Sequence, residues 1–322
     1  MKKLFTILAV AAACVACQKN EIVALDNGEA IAFGNAFVEN AVRATDPSYS
    51  ANDIAYFKVY GTVDASNGNP VVIYPGATVT KTADYGVAWT CKDAEDNEIK
   101  QYWIPGATYK FVGIVDGDKE NVSETTLVNG MPTTISYKAD GVTDLLCQTI
   151  DKVANTDGTA NGLVAFTFNH LLAKVNFTVK NNSADADKYS FVVKNIAFAG
   201  NTEGVYNVAT AAWDTAQFKT GSTAVGNDTD KTIIVATKAA SSELNTEVLF
   251  LPGTYSVSFT VDILYDGTVI TTTNYPASGS YSHTLEAGKA YNFIAEVAVG
   301  ELIQFTVTEQ PEWDTPTNDV EL

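Results

Sequence analysis

Beyond residue 20 the apolar side chains recur at every second position, in short runs closed by Gly, Asn, Asp and Pro. Ala55 to Tyr60, Thr108 to Val112, Lys174 to Val179, Tyr255 to Val261 and Tyr291 to Val297 all follow this rule. A period of two is that of a strand with one face in a core, whereas a surface helix repeats every three to four residues. Turn chemistry separates the runs at Asn67-Gly68-Asn69-Pro70, Asp116-Gly117-Asp118, Asn129-Gly130, Asp266-Gly267 and Glu286-Ala287-Gly288. The pattern predicts an all-β chain of sandwich type, with nothing helical beyond a short turn near Ala209 to Gln217. A polar stretch from Asp151 to Gly162 divides the strands into two sets, which places an N-terminal sandwich over 44–158 and a C-terminal one over 159–322.

Two segments at opposite ends read alike. In Glu29 to Val38, Ile31, Phe33 and Phe37 fall on one face and Ala30, Ala32, Gly34 and Ala36 on the other. In 302–308, Ile303, Phe305 and Val307 alternate with Gln304, Thr306 and Thr308. The first segment is followed by a polar, proline-containing stretch, Ala41 to Pro47, with Arg43 as its basic residue, the kind of exposed chain a trypsin-like protease enters. Cleavage between Arg43 and Ala44 would free the leading strand and open a groove with unpaired edges. Reburying three such side chains is worth on the order of 5 to 8 kcal/mol before ordering costs. A strand from another subunit can supply that by β-augmentation, and because donor and groove lie at different places the contact propagates into a fibre. The same alternation also suits two ordinary strands, each completing its own domain.

The N-terminus sets the expected compartment. Lys2 and Lys3 precede an apolar run from Leu4 to Ala13, too short for a permanent membrane span and of the form of a signal peptide over 1–16. It ends in Cys14-Val15-Ala16-Cys17, which resembles a lipobox, so Cys17 is the expected lipidation site, with Cys14 an alternative and residues 17–43 a tether plus the removable strand. No later stretch is long and apolar enough for a transmembrane helix. The formal charge of −18, more acidic still once Lys2 and Lys3 are lost, excludes nucleic acid as a partner and makes a lipid the expected means of membrane attachment. Cys91 and Cys147 either pair in an oxidising compartment or serve as buried small side chains.

Candidate chemistry is sparse. His170 and His283 have no nucleophile motif beside them, and His170, in an apolar strand, reads as a packing residue. The acidic groups at Asp93 to Glu98, Asp116 to Asp118 and Asp185 to Asp187 lack the ligand spacing of an EF-hand and read as solvated loops. No catalytic residue, metal ligand or cofactor site is assigned, and the chain is not expected to be an enzyme. Trp89, Trp103 and Trp213, if exposed together, would favour a glycan- or protein-binding surface instead.

Taken in order, several weak motifs become specific: Ile31-x-Phe33 before Val42-Arg43-Ala44-Thr45, Asp144-Leu145-Leu146, Phe166 to Phe177, Leu251 to Val257, and Leu285 to Tyr291. In these residues the chain resembles the fimbrillin (Mfa-like) family of Bacteroidetes surface lipoproteins. The resemblance implies two transthyretin-like β-sandwich domains in tandem and export as a lipoprotein to the outer membrane. It also implies removal of the first strand by an arginine-specific surface protease acting at Arg43-Ala44, then polymerisation with other fimbrial subunits by strand exchange. Asp214-Thr215-Ala216 resembles an O-glycosylation acceptor of such bacteria, at Thr215. The alternative is a surface-anchored lipoprotein that does not polymerise and acts as an adhesin.

Overall fold

A computed structural model describes residues 29–34, 37–38, 54–65, 68–81, 89–115, 121–154, 162–224, 233–236, 241–243, 247–276 and 281–310, with backbone only at 37, 38, 224 and 243. Cys14, Cys17, Arg43, Ala44, the acidic group Asp116 to Asp118 and the tail from Pro311 through Trp313 lie outside the described residues. The chain is all-β, as its alternation predicts, and the described strands form three sheets. One short 3-10 turn, Thr215–Gln217, stands where the Ala209 to Gln217 turn is expected.

The first sheet runs in the order Phe37–Val38, Thr167–His170, Leu146–Val153, Thr108–Val115, Tyr56–Asp64, Val71–Lys81, Trp89–Lys92. The second orders Ser241–Glu243, Ala173–Asn181, Ala290–Val297 and Gln304–Gln310, with Val248–Phe250 also on Ala173–Asn181. The third orders Thr268–Tyr275, Gly253–Tyr265, Tyr189–Asn207, Met131–Lys138 and Val122–Val128. Two hairpins have the two-residue loops read from the sequence. Asn129 and Gly130 take φ of 51° and 77°, and Asp266 and Gly267 take 46° and 76°, the left-handed geometry that matches strand twist.

The second and third sheets pack face to face. Val175, Phe177 and Val179 with Phe293 and Ala295 on one side meet Phe191, Val193, Phe198, Val257 and Phe259 on the other, forming a sandwich core. The first sheet buries Phe57, Val59, Tyr74, Val79, Tyr109, Phe111 and Phe168 on one face, against connecting segments that include residues 29–34 and 99–107. Its opposite face carries Val112, Ile114 and Cys147, which meet Ile135, Tyr137, Leu171, Leu172, Tyr206 and Leu251 in a third cluster.

Hydrogen bonding crosses the boundary expected after residue 158 in both directions. Thr167–His170 pairs with Leu146–Val153 in the first sheet. The 19-residue strand Tyr189–Asn207 pairs with Gly253–Tyr265 along its first part and, through Glu203 to Asn207, with Met131–Lys138. Beside this seam His170 Nδ1 lies 2.5 Å from Asp144 Oδ2, with side chains only 7% and 24% exposed. Asp140 closes the adjoining loop. Burial alone would raise its carboxyl, but the Thr143 and Val142 N–H groups, the Asn121 amide and the Thr143 hydroxyl all donate to it and hold it down at about 2.

Two outcomes follow from the seam. Leu172 is fully buried in the bridging cluster, so Leu172→Ala should cost about 2–5 kcal/mol and shift both halves together, read as one urea transition by fluorescence and circular dichroism. Asp140, lowered in the folded state, stabilises fully above the unfolded carboxylate value of about 3.9. That contribution is lost as pH falls through about 2. Asp140→Asn should therefore flatten the acid limb of a stability–pH profile and leave its alkaline limb unchanged.

Candidate functional site

Residues 29–34 lie extended between two segments that flank the first core. On one side they pair antiparallel with residues 101–103: the Ile31 N–H donates to Gln101 O at 2.7 Å and the Trp103 N–H to Glu29 O at 2.9 Å. On the other side the pairing is parallel: the Val164 N–H donates to Ala32 O at 2.8 Å and the Gly34 N–H to Val164 O at 3.0 Å. The parallel course continues as Phe37–Val38 alongside Thr167 and Phe168. Among the described residues the ladder consists of isolated bridges at Ala30 and Phe33, followed by the short strand Phe37–Val38.

The expected large face points inward. Ile31 is 7% and Phe33 3% exposed, while Ala30 and Ala32 face solvent. The Phe33 ring sits edge-on to Tyr74 at 5.3 Å, Phe57 at 6.1 Å and Phe111 at 6.4 Å, the arrangement that aromatic quadrupoles favour. Phe37, predicted to complete this face, has its backbone in the sheet, and its side chain lies outside the described residues.

The antiparallel wall of the seat is held by contacts outside the segment. Trp103 is buried edge-on to Tyr109 at 4.7 Å, and the Tyr109 hydroxyl accepts from the Ile104 N–H at 2.6 Å and donates to Tyr102 O at 3.2 Å. The Ala154 N–H bonds Ala107 O at 2.8 Å. Val164 leads into Phe166 and Phe168, which stack at 5.3 Å, and into the sheet strand Thr167–His170. The floor has one flaw: the Tyr74 hydroxyl is buried with no hydrogen-bond partner among the described residues, and burial pushes it well above the ordinary phenol range, with Cys91 and Tyr109 adding to the effect.

The second predicted segment is seated elsewhere. Gln304–Gln310 is the outer strand of the second sheet, antiparallel to Ala290–Val297, and Ile303, Phe305 and Val307 are half-buried on the C-terminal core. Phe305 lies 4.7 Å from Tyr281 and 5.0 Å from Tyr275. The structure thus brings Ile31 and Phe33 together in one core and Ile303, Phe305 and Val307 together on another.

The remaining candidates resolve into packing. His283 sits edge-on to Tyr291 and Phe293. Asp93 accepts from the Glu95 and Asn97 N–H groups and the Asn97 amide, closing a turn, and Asp185 pairs with Lys188 at 3.8 Å. Among the described residues no group of three or more His, Cys, Asp or Glu is placed to hold a metal. Cys91 and Cys147 are free, buried in separate clusters, and burial pushes both thiols up to about 12. The tryptophans are dispersed: Trp103 is buried in the first core, Trp89 leans on Phe57 at 5.6 Å, and Trp213 donates from Nε1 to Leu171 O at 2.8 Å in the bridging cluster. Thr215 is exposed on its turn, which Asp214 caps through the Ala216 N–H. Leu163 and Trp103, which flank the seat, carry no sequence signal for that role, since only the fold brings them beside residues 29–34.

Phe33→Ala should destabilise the protein by about 3–5 kcal/mol in urea unfolding, whereas Ala32→Ser, on the solvent side, should change it by less than about 0.5 kcal/mol. Tyr74→Phe removes the unpaired hydroxyl and should leave stability equal or higher.

Comparison with known proteins agrees with this architecture. A family model described as fimbrillin-like matches residues 42–311. No curated protein matches the chain. Among solved structures, a fimbrial protein from Bacteroides vulgatus superposes with a TM-score of 0.58 at 14% identity, covering 87% of this chain and 99% of that one. A candidate cell adhesion protein from Bacteroides uniformis gives 0.47 at 18% identity over 89% and 100% of the two chains. A fimbrial assembly protein from Parabacteroides distasonis gives 0.42 at 12% identity over 88% and 99%. The first of these carries the likeness of fold, and the family match, over most of the chain's length, carries the kinship: the chain belongs to the fimbrillin-like family.

Proposed function

We propose that this protein is a structural subunit of a cell-surface fimbria, made as a precursor whose leading segment is a removable plug. In this reading the chain is exported as a lipoprotein acylated at Cys17 and held at the outer membrane. It carries two transthyretin-like sandwiches and is cut between Arg43 and Ala44 by an arginine-specific surface protease. Loss of residues 29–38 exposes the seat of Ile31 and Phe33, and a strand of another subunit takes their place. Ile303, Phe305 and Val307 are the candidate donor set.

The observation that carries the proposal is the seating of Ile31 and Phe33. Two large side chains and four backbone hydrogen bonds fill a slot whose walls are built by other parts of the chain. Emptying the slot exposes apolar surface worth roughly 3–6 kcal/mol for the two side chains, together with unpaired N–H and C=O groups on both walls. A replacement strand recovers both terms without any change of fold. Catalysis has no place in this scheme, and the family is one of fimbrial proteins rather than enzymes.

Limited digestion with an arginine-specific protease tests it. The cut protein should form a ladder of oligomers by size exclusion and native mass spectrometry once the segment is allowed to dissociate, while Arg43→Ala stays monomeric. Removing Leu302 to Leu322 should abolish the ladder. A cut protein that remains monomeric at high concentration contradicts self-assembly by strand exchange, and assembly undiminished by the deletion contradicts the tail as donor.

A further inference from the structure

Gly34 lies directly under Leu163. A Cβ built on Gly34 would stand 2.7 Å from Leu163 Cβ, 2.8 Å from Cδ1 and 3.3 Å from Cγ, well inside the roughly 3.5–4.0 Å at which carbon atoms pack. The nearest atom belongs to the stem of Leu163, so turning the end of that side chain gives no relief and its backbone would have to move. That backbone adjoins Val164, whose N–H and C=O both bond the segment, to Ala32 and Gly34. Any side chain at position 34 therefore strains the hydrogen bonds that hold the segment to this wall. The constraint is one of space, because Gly34 does not occupy the left-handed region.

We propose that Leu163 is a steric selector, and that the seat admits a strand carrying glycine immediately after the second of two alternating large apolar residues. The inference rests on the reading of this seat as a strand-exchange site, and it names the partner's chemistry. The leading segment meets the requirement as Ile31, Phe33, Gly34. The chain's own tail does not. With Ile303 and Phe305 in the places of Ile31 and Phe33, Thr306 falls where Gly34 stands; with Phe305 and Val307 there, Thr308 does. In the chain direction of residues 29–34, each register that seats two of the tail's large residues sets a β-branched threonine against Leu163. The occupant that fits best is a strand of a different subunit with glycine at this position; a second copy of this chain's tail still enters, as the ladder proposed above requires, but more slowly and less tightly.

The test has two arms. In the intact protein, Gly34→Thr should lower Tm by about 5 °C; in a Leu163→Gly background, which removes the clashing Cβ together with the rest of the side chain, the same substitution should cost much less. An equal loss in both backgrounds overturns the selector. In protein cut after Arg43, synthetic peptides of residues 29–38 with Gly or Thr at position 34, and of residues 301–310 with Thr or Gly at position 306, are offered as replacements, and release of the cut segment is followed by native mass spectrometry. The glycine forms should displace it about tenfold faster than the threonine forms, and the gap should close in Leu163→Gly. Equal rates for glycine and threonine forms overturn the selector. If no peptide displaces the segment, its own sequence included, strand exchange is overturned, and the intact-protein comparison still decides the selector.

Discussion

The first core is not closed by its own sheet. Phe57, Tyr74 and Phe111 present an aromatic floor that Phe33 covers from a segment attached only through residues preceding the body of the fold. Burial of large apolar side chains dominates the stability of such a domain, and an uncovered floor of this kind would be costly in water. The backbone adds a second demand, since residues 101–103 and Val164 each need a partner strand. One short segment meets both demands at once, and the antiparallel wall that receives it is fixed by contacts of its own. The first core therefore needs a strand in that place.

The rest of the molecule is tied more firmly. The strand Tyr189–Asn207 serves both halves, and the bridging cluster between them holds Leu171, Leu172 and Tyr206 against Ile114 and Tyr137. A strand that pairs with both halves, with the His170–Asp144 contact at the seam, is a stiffer joint than a linker. Residues 29–34, by contrast, are attached through four backbone hydrogen bonds.

Much of this was legible before the fold was known, because period two is a local signal. Alternation located the strands, Asn129-Gly130 and Asp266-Gly267 located tight hairpins, and the inward face of Ile31 and Phe33 followed from spacing alone. Contacts between distant residues leave no such trace. Nothing local says that the strand beginning at Tyr189 runs for 19 residues and crosses to Met131–Lys138, or that Cys91 and Cys147 sit in separate cores. The tail is the instructive case: alternation of Ile303, Phe305 and Val307 suits a donor strand and a strand seated on its own domain equally, and in this structure it is seated. Leu163 was invisible because its importance is a distance to Gly34, not a pattern.

Hydrogen exchange resolved by residue tests the central claim most directly. If residues 29–34 fill their slot in solution, the amides of Ile31, Gly34, Trp103 and Val164 exchange as slowly as those of the first sheet, and the Trp103 and Val164 amides lose that protection when the segment is released. Exchange of Ile31 and Gly34 in the intact protein at the rate of an unstructured peptide would contradict the account.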